Sequence, residues 1–135
     1  MLADLQARLW RVRVFAGTAP IHEQVAAFRA ARCQVGSHGA GLSLMVFAPT
    51  DFGTAEVGPG RYFVRSTAGR LHLNRNRNRS GAITGEPNAC YRGLAAGLGQ
   101  RHEWVLISGA TANSDLTPAV DDVMAIARLA CGGTV

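Results

Sequence analysis

The stretch Gly36-Ser37-His38-Gly39-Ala40-Gly41-Leu42-Ser43 places a histidine among three glycines, and an apolar run from Leu42 to Ala48 follows at once. Its approach, Cys33-Gln34-Val35, has β character, so the pattern predicts a strand, a tight turn and a helix N-terminus. Glycine lets the atoms of another molecule come close to the backbone. The first N–H groups of a helix, with the positive end of its macrodipole, suit an anion such as a phosphate. In such a turn His38 can donate a hydrogen bond to a diphosphate or a leaving-group oxygen, or act as acid or base near neutral pH. Two plainer readings stand beside this one: His38 only caps its own turn, and Gly39 and Gly41 only let helix and strand pack closely.

Gly39-Ala40-Gly41-Leu42-Ser43-Leu44 holds two glycines of the dinucleotide pattern G-x-G-x-x-G, with Leu44 at the third position. Glu56 is expected at the end of the next strand, near the offset of a ribose-binding acid, where it would accept hydrogen bonds from a ribose diol. The alternative is a solvated strand-end glutamate. His38-Gly39-Ala40-Gly41 also has the form of a lipase oxyanion loop. However, the nearest approach to a nucleophile elbow, Gly41-Leu42-Ser43-Leu44-Met45, lacks the final glycine and lies too close. His22, His72 and His102 have no ligand spacing, so no metal cage is expected, and His22 and His102 read as surface or second-layer residues.

Composition narrows the classes further. The 135 residues are 47% hydrophobic and 17% charged, with a formal net charge of +5, which fits one domain with a real core. All 14 basic residues are arginine, which removes a Walker P-loop and Schiff-base chemistry, both of which need lysine. Arg75, Arg77 and Arg79 alternate with asparagines. Without interleaved aromatics this run argues against nucleic acid as a partner. The three cysteines, Cys33, Cys90 and Cys131, allow at most one disulfide and leave the redox compartment open. Asp4 near the N-terminus speaks against a signal peptide, and no apolar run has transmembrane length.

Several elements must position these residues. Residues 2–10 read as a short helix, and Trp10 to Phe15 alternate as a half-buried strand. An amphipathic helix is expected from Ile21 to near Arg32, with Thr18 as its cap and Pro20 in its first turn. After the glycine turn, a short helix over Leu42–Phe47 should stop at Pro49. Gly53–Val57 reads as a strand closed by Gly58-Pro59-Gly60. Residues 61–87 are irregular, apart from strand character at Tyr62-Phe63-Val64. A helix over Ala89–Leu98 capped by Gly99, a buried strand at Trp104–Ile107 and a helix over Leu116–Ala130 complete the chain. The order β-α-β-α-β-loop-α-β-α is that of a doubly wound parallel α/β sheet, whose ligands sit outside the carboxyl ends of the strands.

Taken together, Glu23, Gln24 and Phe28, then His38-Gly39-Ala40-Gly41-Leu42-Ser43, Phe47, Pro49 and Glu56, resemble the C-terminal signature of glycosyltransferase family 61. Tyr91 to Gly99, with His102 and Trp104 beyond, is similar to that family's last segment. Leu44 departs from its usual asparagine, and Asp51-Phe52-Gly53 departs from its usual P-P-G turn. The resemblance implies a Rossmann-like, donor-binding C-terminal half of a GT-B enzyme, with the N-terminal acceptor half absent from this chain. It implies an inverting transfer from a nucleotide sugar, a UDP-sugar in the first instance, to a glycan or glycoprotein acceptor in the Golgi or endoplasmic reticulum lumen. No resident cofactor and no metal are implied. Gly36, Ser37, His38, Gly39, Ala40, Gly41, Leu42 and Ser43 would hold the donor, His38 would support the leaving phosphate, and Glu56 would hold the ribose. Rival readings are a non-catalytic nucleotide-binding module, a degenerate paralogue, or half of an NAD-type dehydrogenase.

Overall fold

Three parallel strands in the order β1 (Cys33–Ser37), β2 (Gly53–Pro59) and β5 (Arg101–Ile107) form the sheet on which everything else rests. The computed structural model describes residues 11–59, 63–65, 71–73, 89–107 and 115–132. The fold is α/β, with an all-parallel three-stranded sheet and helices packed against it. The other elements are α1 (Ile21–Ala30), a 3₁₀ helix (Ala40–Phe47), β3 (Phe63–Arg65), β4 (Leu71–Leu73), α2 (Ala89–Leu98) and α3 (Val120–Cys131). β3 and β4 pair antiparallel as a separate ribbon. The expected helix at 2–10, the arginine–asparagine run and most of 61–87 lie outside the described residues.

β2 is the central strand, and all seven of its residues are buried. Its alternation sorts two cores. Ala55 meets Ala127 and Ala130, and Val57 meets Val105 and Val123, so one side of the sheet is covered by α3. On the other side Phe28 of α1, Met45 of the 3₁₀ helix, Phe52 and Ala95 of α2 form a second cluster. Phe52 and Met45 are fully buried, each stabilising the fold by about 1.5–3 kcal/mol through lost apolar surface. At Gly53 a Cβ would lie 1.8 Å from the carbonyl oxygen of Ala130, so only glycine lets α3 cross β2 at this point. A disulfide between Cys33 and Cys131 joins the first residue of β1 to the last of α3. Cys90 is free and exposed. Among the described residues no helix is long and apolar enough to cross a membrane.

Local expectations fail in instructive places. Residues 11–15 form no strand: Val14 is 70% exposed, and Phe15 packs edge-on against Phe28 of α1 at 5.5 Å. Thr18 does not cap α1. Pro20 holds that position, its carbonyl accepting from the N–H groups of Glu23 and Gln24, while Gln24 Nε2 donates back to Ala19 O at 2.6 Å. α3 begins at Val120 rather than Leu116, because Pro118 keeps Thr117 out of helical geometry. β1 runs through Val35 and Gly36 to Ser37, so the turn begins later than the glycine pattern predicts.

Candidate functional site

His38 follows the last residue of β1, and its backbone N–H donates to Val57 O at 2.7 Å. The side chain is therefore delivered at the carboxyl ends of β1 and β2, where they lie side by side. His38 Nδ1 donates to Oε1 of Glu56. The second carboxylate oxygen, Oε2, accepts from His102 Nε2 at 2.7 Å. His102 lies on β5, one strand further across the sheet. The result is a carboxylate clasped by two imidazoles that come from 18 and 46 residues away in sequence. Glu56 is fully buried, and the His38 and His102 side chains are 11% and 3% exposed. Burying an unpaired carboxylate is prohibitive, and here each oxygen has its own N–H donor.

Aromatic rings hold the two imidazoles. Tyr91 of α2 meets the His38 ring edge-on at 5.2 Å, and Trp104 stacks on His102 at 5.7 Å. Gly58 lies two residues beyond Glu56 on the same face, and a side chain there would require Leu106 to shift. A Cβ there would lie 2.9 Å from Leu106 Cδ2 and 4.0 Å from Glu56 Oε1. No group of three or more metal-ligating side chains able to hold a metal occurs among the described residues. The imidazole nitrogens reach the carboxylate itself at hydrogen-bond range.

Glu56 thus has a different place from the one expected of it. Three strand residues, Val57, Gly58 and Pro59, follow it, and both of its oxygens are already engaged inside the sheet. A ribose diol finds no acceptor there, so the ribose-holding role is withdrawn. Gly36 lies within β1, and a Cβ there would come 3.3 Å from Leu42 Cδ2, a side-chain end that would have to give by a few tenths of an ångström. The Leu42 side chain is 3% exposed and belongs to the core, leaving only its backbone near the bend. Even that N–H is used, donating to Gly39 O at 3.0 Å.

The rest of the bend is open. Ser37, Ala40, Gly41 and Ser43 are exposed, and Gly39 is half-buried. Among the described residues nothing lies within 4 Å of a Cβ built at Gly39 or Gly41, so close packing against them does not explain these two glycines. The helix that follows is 3₁₀ in form. The N–H groups at its start have no acceptor within the helix, and the Ser43 hydroxyl turns back to donate to Ala40 O at 2.6 Å. Its far end is held by Gln100, whose Nε2 reaches the carbonyls of Met45, Ala48 and Pro49 at 3.0–3.3 Å.

His102, expected at the surface or in a second layer, has a side chain only 3% exposed against Glu56, a partnership that sequence spacing missed. Its one local signal is the polar residue that opens the apolar strand Trp104–Ile107. His22 is exposed on α1, and nothing joins it to this cluster. Fold and site together define a class: a small parallel α/β unit with an open glycine bend beside a histidine–carboxylate–histidine cluster. The chain matches no known protein family, curated protein or solved structure with which it was compared.

Proposed function

We propose that the chain is the donor-binding unit of a nucleotide-sugar-dependent glycosyltransferase similar to family 61, and that the bend Ser37–Ser43 receives the donor's diphosphate. The observation that carries this reading is the pair Gly39 and Gly41, with no described atom within 4 Å of a Cβ at either, next to a histidine that the fold holds in place. Backbone N–H groups at Ala40 and Gly41 neutralise the diphosphate. His38 stabilises charge on the leaving phosphate as the glycosidic bond breaks. The ribose is bound elsewhere, since Glu56 is committed to the two histidines. A UDP-sugar is the first donor to try, and a glycan or glycoprotein the acceptor, with a separate acceptor domain completing the cleft. The Cys33–Cys131 disulfide suits an oxidising compartment such as the Golgi or endoplasmic reticulum lumen.

A non-catalytic nucleotide-binding module is favoured by one residue. Leu44, at the family's asparagine position, packs against the Phe28–Met45–Phe52–Ala95 cluster and offers the bend no polar group. Titration with UDP and UDP-sugars, followed by calorimetry, tests donor binding. The expected result is saturable binding, weakened at least about tenfold by Gly41→Asp, which sets a carboxylate against the diphosphate. Equal binding by the variant, or preference for NADH over UDP, sinks the proposal. Sugar transfer in the presence of a candidate acceptor domain separates the enzyme from the module.

A further inference from the structure

We propose that Gln34 and Gln100 are positioning residues for the bend: their side-chain amides hold Ala40–Phe47 in 3₁₀ form over its whole length, and so fix where its first N–H groups stand. What those N–H groups meet rests on the diphosphate reading; the clamp itself does not.

A 3₁₀ helix of eight residues is long, since runs beyond three or four residues are uncommon and their hydrogen-bond geometry is poorer than that of an α-helix. Its sequence does not ask for that form: Ala40, Leu42, Leu44 and Met45 all favour an α-helix. Yet both ends bond from residue i to i−3, Leu42 N–H to Gly39 O and Ala48 N–H to Met45 O, each at 3.0 Å. The form is therefore set from outside the segment. Gln34, on β1, divides its amide between Thr54 Oγ1 at 3.0 Å and Leu42 O at 3.3 Å. Gln100 gives its amide to Met45 O and Pro49 O at 3.0 Å, with Ala48 O at 3.3 Å.

Neither glutamine is free to follow the segment. Gln34 lies opposite Thr54 in the parallel register of β1 and β2. Gln100 is pinned by the backbone around it. Its N–H donates to Ala95 O at 2.9 Å just beyond the left-handed Gly99, and the next N–H, that of Arg101, donates to Phe52 O at 3.0 Å. Gln100 is 8% exposed, and its Oε1 has no partner among the described residues. A buried acceptor left unpaired costs stability. An apolar side chain would fill the place without that cost, so it is the donor end of the amide that the position requires.

Helix geometry gives the clamp its consequence. From Leu42 to Met45 a 3₁₀ helix makes one full turn and rises about 6 Å. An α-helix over the same residues falls about 60° short and rises about 4.5 Å, which takes a carbonyl away from its glutamine. Counted from Met45 back to Ala40, relaxation to the α form would draw the helix start in by about 2.5 Å and turn it by about 100°. The N–H groups of Ala40 and Gly41 would then leave the direction in which the bend presents them.

Couplings across hydrogen bonds in the ¹⁵N,¹³C-labelled chain name each acceptor directly. The wild type should show i to i−3 couplings along the segment. Gln100→Met keeps the side-chain length and removes the donors. It should shift these couplings to i−4 and weaken UDP binding at least about tenfold, the value of one hydrogen bond to a charged group. Gln34→Met should act in the same direction, less strongly. Val57→Ala, destabilised on the α3 side, should keep both the couplings and the affinity. An i−4 pattern in the wild type, an i−3 pattern kept in both glutamine variants, or an equal loss of affinity in Val57→Ala overturns the inference. Couplings that shift while UDP affinity stays put overturn the positioning role. Should neither glutamine variant fold, the wild-type couplings from Gln34 Nε2 to Leu42 and from Gln100 Nε2 to Met45 and Pro49 decide: present, they support the clamp, and absent, they overturn it. UDP that fails to bind the wild type ends the diphosphate reading, and the clamp is then judged on the couplings alone.

Discussion

Along β2, Ala55 and Val57 point towards α3, while Thr54 and Glu56 point to the opposite side, and none of the four is more than 5% exposed. The α3 side is filled with alanine and valine and closes at Gly53 on a helix carbonyl. The opposite side holds a carboxylate, a hydroxyl and two imidazoles, each tied to a named partner; the Thr54 hydroxyl, for example, accepts from Gln34 Nε2 at 3.0 Å. The α3 side is sensitive to the size of what is placed on it and indifferent to chemical type within the apolar residues. The Glu56 side is sensitive to chemical type first. Equal burial therefore serves two ends, one holding the layers together and one aiming His38.

Adding bulk to the α3 side should do the most damage. In Gly53→Ala the new Cβ would lie 1.8 Å from the Ala130 oxygen and 3.0 Å from its Cα. Both atoms are backbone, so relief requires moving α3 as a body. The expected loss is about 3–4 kcal/mol or more, at the upper end for overpacking, read from urea unfolding. An unchanged midpoint would mean that α3 does not cross β2 so closely.

Breaking the disulfide should come next, and it too belongs to the α3 side. It joins residues 98 apart, and a loop of that length predicts about 4.7 kcal/mol by chain entropy, with 2–4 kcal/mol more usual. Cys33→Ser with Cys131→Ser should lower the stability read from urea unfolding by that amount. Cys33 opens β1 and Ser37 closes it, so UDP affinity should change little if the bond serves only the core. A large loss of affinity at temperatures where the variant is folded would tie the two sides together.

The Glu56 side should respond to an exchange that hardly changes volume. Glu56→Gln puts an NH₂ group where one imidazole N–H now finds an oxygen. Two donors then face each other unless one ring changes tautomer. The cost should be about 1–3 kcal/mol, that of a buried polar group left badly matched, and UDP affinity should fall as His38 loses a well-matched partner. A variant of full stability and unchanged UDP affinity would show that the carboxylate does not hold His38 in place. The corresponding apolar exchange, Val57→Ala, should cost stability and leave UDP affinity as it is.

Much of the apolar packing on both sides of the sheet is legible from residues alone, because it is built from local regularities. The apolar run at Trp104–Ile107, the helix over Ala89–Leu98 with Gly99 beyond it, and the acidic start and basic end of α3 all follow from spacing and capping. The bend at His38–Gly41 is legible too, since glycines with open space leave a mark in composition. Glu56 is misplaced by its neighbours, because Gly58 and Pro59 read as chain breakers. Flanked by β1 and β5, they instead continue the strand, and a strand-end acid becomes an interior one. The partnership with His102 crosses 46 residues, and no periodicity reports which two strands will be neighbours. Val12 and Val14 mislead for the opposite reason: their alternation is strand-like, but no strand of the sheet pairs with them.

The smallest effect expected, and the one that bears most on what the open bend is for, lies at Leu44. Its side chain is half-buried against Phe28, Met45, Phe52 and Ala95, whereas its neighbour Ser43 is exposed. Replacing it in Leu44→Asn removes part of an apolar contact and should cost about 1 kcal/mol, roughly half the value of a fully buried leucine. An asparagine at this point of the helix start can also turn an amide towards the bend. One such hydrogen bond to a bound phosphate contributes about 0.5–1.5 kcal/mol, or roughly a 2- to 12-fold gain in UDP affinity. Measured side by side, a loss in stability with a gain in affinity means that this position in the chain has been given over to packing at the expense of ligand. A loss in stability with unchanged affinity means that donor contact ends at Ser43, and the 3₁₀ helix beyond it then belongs to the core.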